Sequence, residues 1–193
     1  AAPSALRGVR DSADKALARA IAGEALRWLT DLDALIDSAT KKPPPDDAKA
    51  RMVRRLMLAQ ALRLETPPHA VIATGLPLLS GGPRRLAHGV FGSLMKQEVK
   101  LPDAPTLPKG VMDRWGERAA TIAPGLATPP EVDLALKEPA DTAQLQARLG
   151  GVTFCEGHIR VPRGTQVEQL PGYKDGAWWV QDAAAALPAR ILN

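Results

Sequence analysis

Three groups of side chains carry the chemistry available to this sequence: a run of cations at Lys49, Arg51, Arg54 and Arg55, a glycine turn followed by a basic pair, Gly81-Gly82-Pro83-Arg84-Arg85, and the single cysteine, Cys155, beside Glu156. The four cations crowd the first half of a predicted helix. The helix dipole disfavours positive charge there, so local helix stability does not account for their placement. Singly, each reads as solvated surface charge; as a group they suit a polyanion. A glycine turn before a helix offers unpaired N–H groups, and Arg84 and Arg85 would add charge for an anion. The plainer reading of the same stretch is a helix–helix turn.

Cys155 reads as structural, because the adjacent Glu156 charge disfavours a thiolate and a neutral thiol behaves as a small apolar group. His69, His88 and His158 are scattered, with no two at metal-ligand spacing. His69 falls at a helix start and His88 on a helix surface or seam. Trp178 and Trp179 are candidates for stacking on bases, but on a strand they point to opposite faces, so at most one serves a given surface. Core packing or docking is the simpler role for them.

The net charge of +4 conceals a division. Residues 1–100 carry 16 Lys+Arg against 10 Asp+Glu, a balance of +6, while residues 101–193 carry 9 against 11, a balance of −2. A basic first part points to a polyanionic partner, most simply RNA. With 45% hydrophobic residues the chain buries a real core. One cysteine permits no disulfide framework within the chain, which fits a reducing cytoplasm. No stretch approaches the roughly 20 apolar residues of a membrane helix.

These side chains must be held by predicted elements. After a loose start at Ala1–Arg10, Asp11 or Ser12 caps a helix to about Leu29 with Leu17, Ile21 and Trp28 on one stripe. A second helix from Asp31 buries Leu32, Leu35 and Ile36 and is broken by Lys41-Lys42-Pro43-Pro44-Pro45. Asp46 or Asp47 begins a third, to about Leu64, with Met52, Leu56, Ala59 and Leu62 or Arg63 marking its turns. Thr66-Pro67 opens a fourth. Arg84–Gln97 forms a fifth that buries Leu86, Val90, Phe91 and Leu94.

The proline-rich stretch 100–108 is the expected domain boundary. Beyond it, Pro108 opens a helix with Val111, Met112 and Trp115, and Glu131–Lys137 alternates as a half-buried strand with Asp133 and Ala135 outward. Asp141 caps a helix Thr142–Leu149, and Val152–Cys155 and His158–Val161 flank Glu156-Gly157 at hairpin spacing. Finally, Ala177–Val180 is a short strand, and Asp182 caps the helix Ala183–Leu192. A strand feeding a helix at the end of the sequence reads as the entrance to a further domain. The fold class expected is α+β, an all-α bundle followed by a small α/β segment.

The segment TPPHAVIATGLPLLSGGPRRLAHGVFGSLMKQ, Thr66 to Gln97, resembles the NusB-like (antitermination-factor) helical domain, and Asp14–Asp37 resembles that fold's early helices. EVDLALKEPADTAQLQARLGG and GAWWVQDAAAALPARIL resemble the middle segment of the Sun/Fmu class of bacterial 16S ribosomal RNA cytosine-5 methyltransferases. The resemblance implies a NusB-like RNA-binding domain over 1–99, a linker over 100–108, and over 109–193 an α/β segment leading into a Rossmann-like methyltransferase domain. That domain, absent from this sequence, would bind S-adenosylmethionine. The glycine-rich donor motif and paired catalytic cysteines of the family have no counterpart in these residues. No catalytic, cofactor-binding or metal-binding residue is therefore assigned, and this chain alone is expected to bind no cofactor and to be inactive.

The implied partners are ribosomal RNA and the protein's own methyltransferase domain, with no membrane and a monomeric state in the cytoplasm. The expected RNA contacts are Lys49, Arg51, Arg54, Arg55, Arg84 and Arg85. Two other readings remain open: a stand-alone RNA- or protein-binding module of the antitermination type, without catalysis, and a purely structural helical adaptor.

Overall fold

The computed structural model describes residues 3–42, 45–46 and 48–192. Pro43 and Pro44 of the expected helix break, and Asp47 as a cap of the third helix, lie outside the described residues. The chain divides into two compact units, 1–128 and 129–193, and is α+β, as expected.

In the first unit, α1 (Ser12–Arg27) starts where Asp11 accepts hydrogen bonds from the amides of Ala13 and Asp14, an N-cap that satisfies two otherwise unpaired donors. α2 (Leu29–Ser38), α3 (Lys49–Arg63), α4 (Pro68–Gly75) and α5 (Gly81–Lys96) follow. Pro67 stands at the cap of α4, one residue later than the expected Thr66 cap. The bundle closes on Trp28, Leu32, Ile36, Met57, Leu58, Val71, Phe91 and Leu94, all at most 2% exposed. Gly75 permits the close approach of α4 to α3, since a Cβ there would lie 2.6 Å from Met57 Cγ.

The unit boundary falls at Thr128–Pro129 rather than in the 100–108 stretch. That stretch is tied to the bundle: the Thr106 amide donates to Asp31 Oδ2 at 2.9 Å, Leu101 packs on the core and Leu107 is buried. Proline makes it stiff, but stiffness does not detach a segment that has contacts to make. α6 (Lys109–Trp115) and α7 (Arg118–Ile122) complete this unit.

The second unit is a three-stranded antiparallel sheet, order β2-β1-β3, with β1 (Val132–Leu136) central between β2 (His158–Val161) and β3 (Trp178–Val180). One face carries Leu134, Leu136, Ile159, Val161 and Trp178 against Leu145 of α8 (Thr142–Leu149). Period two puts Asp133, Ala135, His158, Arg160 and Trp179 on the other face, where the Ala183 amide of α9 (Ala183–Leu192) donates to Asp133.

Two expectations fail here. β1 is central and covered on both faces, so Asp133 and Ala135 are buried at 5% and 6% exposed instead of facing solvent. The expected hairpin reduces to one bridge, Val152 with Arg160, because β2 pairs along its length with β1 instead. The Gly157 amide turns to Thr142 Oγ1 at 2.7 Å.

Candidate nucleic-acid interface

The cation run on α3 is not a surface patch. Arg51, Arg54 and Arg55 are 3%, 2% and 6% exposed. Arg51 donates through Nη1 and Nη2 to the Asp37 carboxylate at 2.7 and 2.9 Å, and through Nε to Asp33 Oδ1 at 3.0 Å. Arg55 takes Asp33 side-on, Nε to Oδ1 and Nη2 to Oδ2, both at 2.7 Å, and adds a bond from Nη1 to the Asp46 carbonyl at 3.1 Å. Asp33 and Asp37 lie one turn apart on α2, and Arg51 and Arg55 one turn apart on α3, so the pairs meet when the helices pack. The hydrogen bond from Arg51 holds the Asp37 carboxyl below its usual range, and Asp37 in turn raises the Arg51 guanidinium.

Arg54 differs. Its Nε and Nη1 are buried without a hydrogen-bond partner among the described residues, and burial, with Arg51 nearby, lowers its pKa. The expectation of RNA contact at Arg51, Arg54 and Arg55 is corrected accordingly: these guanidinium groups are turned inward, and two of them are committed to carboxylates. The cause is the phase of α3. Val53, Met57 and Leu58 form its inner face and Met52 is 42% exposed, so the stripe expected through Met52 is rotated. Leu17 and Leu86, expected inside, are 52% and 43% exposed. The signal that sequence reasoning passed over was the matching four-residue spacing of two aspartates and two arginines.

Lys49, Arg84 and Arg85 are exposed, as are His69 and His88. α5 begins at Gly81, whose φ of +56° suits glycine, and Ser80 makes no side-chain cap. The first-turn amides of α5 therefore lack that local acceptor, with Arg84 and Arg85 beside them.

In the second unit, Asp133 organises the α9 face of the sheet. It accepts Arg160 Nε at 2.6 Å and Nη2 at 2.9 Å, and the Ala183 amide at 3.1 Å. The Arg160 hydrogen bonds pull its pKa to about 2 against the opposing effect of burial. His158 Nε2 lies 3.3 Å from the same carboxylate, and neither ring nitrogen of this 2%-exposed residue has a hydrogen-bond partner among the described residues. Across these groups runs a cleft of about 430 Å³ lined by Asp133, Phe154, Cys155, Arg160, Asp182 and Leu187, among others.

Phe154 is 57% exposed, its ring centroid 4.0 Å from that of His158 and 5.0 Å from the Arg160 guanidinium carbon. Cys155 is exposed on the turn, which corrects its reading as a packed structural thiol. No three His, Cys, Asp or Glu residues gather as a metal site among the described residues. No helix of the described residues is long and apolar enough to cross a membrane.

No protein-family model matches the chain. It is 27% identical over 213 residues to the ribosomal RNA small subunit methyltransferase B of Xanthomonas campestris pv. campestris, covering 98% of this chain and 47% of that protein. It is also 27% identical over 198 residues to the probable ribosomal RNA small subunit methyltransferase B of Synechocystis sp., covering 84% of this chain and 43% of that protein. The chain spans about half the length of the curated relatives it matches. This chain thus resembles the N-terminal part of the Sun-type bacterial 16S ribosomal RNA methyltransferases.

Proposed function

We propose that this chain is the RNA-recognition portion of an S-adenosylmethionine-dependent ribosomal RNA cytosine-5 methyltransferase, with a NusB-like helical unit and a small α/β unit that leads toward a methyltransferase domain. The observation that carries the reading is the extent of the similarity, 98% of the chain and so residues of both units. In this reading Lys49, Arg84 and Arg85 position RNA through its phosphates, while Arg51 and Arg55 hold α3, which carries Lys49, against α2. The protein works as a monomer in the cytoplasm.

The described residues do not fit the methyl donor. A donor site of the Rossmann kind needs a glycine-rich turn between strand and helix. Here β1 reaches α8 through Lys137-Glu138-Pro139-Ala140-Asp141, and β3 reaches α9 through Gln181-Asp182, neither with a glycine. The donor, and the thiolate that cytosine C5 methylation requires to attack C6, belong in this reading to the methyltransferase domain. Calorimetry of this chain with S-adenosylmethionine is expected to show no binding, and saturation at micromolar donor would overturn the assignment of roles.

The test of the RNA assignment is the affinity of 16S ribosomal RNA fragments for the chain across a salt series. Replacing Lys49, Arg84 and Arg85 by glutamate should weaken binding and flatten the logarithmic salt slope by about 0.7 to 0.9 for each phosphate no longer neutralised. Unchanged affinity and slope would remove these residues from the interface. Sequencing the gene beyond Asn193 tests the enzyme directly: a glycine-rich strand–turn–helix followed by two cysteine-bearing motifs supports it, and a stop codon supports the stand-alone binding module.

A further inference from the structure

We propose that the cleft between Phe154 and α9 holds an unpaired nucleobase, at a site separate from the cations of the helical unit; this rests on the RNA reading above. Three features of the cleft select this class of ligand. The first is a flat apolar wall: Phe154 presents more than half of its surface to solvent from a turn, with His158 against the ring. An aromatic ring fixed in this way is a stacking platform for a base of any sequence.

The second is a donor held in place. Arg160 is clamped side-on by buried Asp133 through Nε and Nη2, and its Nη1 makes no hydrogen bond among the described residues. A guanidinium fixed from behind loses little freedom when it meets an acceptor in the cleft. The third is an acceptor at the rim, the Asp182 carboxylate, whose Oδ1 takes the Ala185 amide at 3.1 Å. Bases present acceptors and donors side by side along their edges. An aliphatic side chain inserted here would cover Arg160 Nη1 and the second oxygen of Asp182 without offering either a hydrogen bond, at the usual cost of burying polar atoms.

The charge of the cleft decides which part of RNA enters. Asp133 and Asp182 line it, Glu156 follows Cys155, and Glu131 lies 3.9 Å from Arg160 Nε. Carboxylates repel a phosphate but accept the amino and imino protons of a base. The ligand is therefore the uncharged planar part of a nucleotide, with its phosphates directed away, and about 430 Å³ falls within the range of small-ligand sites.

The experiment follows the Phe154 ring and Arg160 Nε–H resonances of the full chain during titration with cytidine, with guanosine and with ribose 5-phosphate. In parallel, the affinity for an unstructured oligoribonucleotide is measured for the native protein, Phe154→Leu and Phe154→Trp, with backbone amide spectra confirming the fold of each. The nucleosides should move both resonances and ribose 5-phosphate should not. Phe154→Leu should lose about tenfold or more in affinity, the size of one base–aromatic stack, and Phe154→Trp should restore it.

Unmoved resonances, native affinity in the leucine variant, or no restoration by tryptophan each overturn the base cleft. If the oligoribonucleotide is then still bound through Lys49, Arg84 and Arg85, the RNA reading stands and the cleft is an apolar docking face. Nucleoside binding in the cleft without affinity for ribosomal RNA would uphold the cleft and overturn the RNA reading.

Discussion

Asp133 accepts Arg160 side-on between neighbouring strands, with Nε to Oδ1 at 2.6 Å and Nη2 to Oδ2 at 2.9 Å. The pair joins β1 to β2, and the same carboxylate accepts the first amide of α9. Its folded-state pKa of about 2 lies below the ordinary aspartate value of about 3.9. A depressed carboxylate stabilises the fold above its unfolded pKa and loses that contribution as pH falls through the folded one. The second unit should therefore lose about 2 kcal/mol between about pH 4 and pH 2 through this group. Urea unfolding followed at the Ile159 and Val161 methyl resonances measures it. Asp133→Asn should be less stable at neutral pH and flatter across that window; a native-like slope in the variant would show that other groups carry the acid sensitivity.

The α3 arginines should respond in opposite directions to the same substitution. Arg55→Met breaks a buried, doubly bonded pair and leaves Asp33 short of a partner, so a loss of about 3 kcal/mol or more in the first unit is expected. Arg54→Met removes a buried guanidinium that has two unpartnered nitrogens, and it should be neutral or stabilising. Thermal unfolding of the two variants side by side reads this, and a large destabilisation in Arg54→Met would mean that its charge is compensated in the folded protein.

Gly75 sits where α4 touches α3. Gly75→Ala places a methyl 2.6 Å from Met57 Cγ, and Met57 is fully buried. Overpacking of this kind costs about 1–3 kcal/mol, offset only in part by the better helix propensity of alanine. Truncating Met57 to alanine in the same chain should recover part of the loss, a coupling that a double-mutant cycle detects. Additive costs would show that the crowding is relieved elsewhere.

Trp178 and Trp179 divide as alternation on a strand requires. Trp178 is 3% exposed and donates from Nε1 to the Pro171 carbonyl at 2.9 Å, whereas Trp179 is 49% exposed. With the partly exposed Trp115 replaced by phenylalanine, Trp178→Phe should leave the acrylamide-accessible fluorescence in place, and Trp179→Phe should remove most of it. In a longer chain that carries the methyltransferase domain of the proposed enzyme, Trp179 should be shielded. Equal accessibility of Trp179 in both chains would speak for 129–193 as a self-contained unit.

The bounds of helix α8 were legible, because an apolar-periodic run closed by a glycine is a local signal and Gly150 adopts the left-handed conformation at its end, φ +69°; Asp141 stands at the N-cap position, but its side chain makes no capping hydrogen bond, contrary to expectation. The start of α1 at Asp11 was legible from a local signal as well. The inner face of α3 was not. Its sequence interleaves arginines with apolar residues around the whole cylinder, so the helical period is clear and its phase is not. Nor was the Phe154 cleft legible: its residues come from β1, the 154–155 turn, β2 and α9, and the spacing within any one segment carries no trace of the others.

The sequence by itself determined the α+β class, most of the helices and strands, and the excess of basic residues in the first hundred positions. Propensity, capping and charge are properties of neighbouring residues, and a chain holds them before it folds. Only the tertiary structure decided which cations meet solvent. Asp33 and Asp37 are 14 to 22 residues from the arginines they hold, so the packing of α2 on α3 turned Arg51 and Arg55 into internal ion pairs, the phase of α3 buried Arg54 without a carboxylate, and Lys49, Arg84 and Arg85 were left outside.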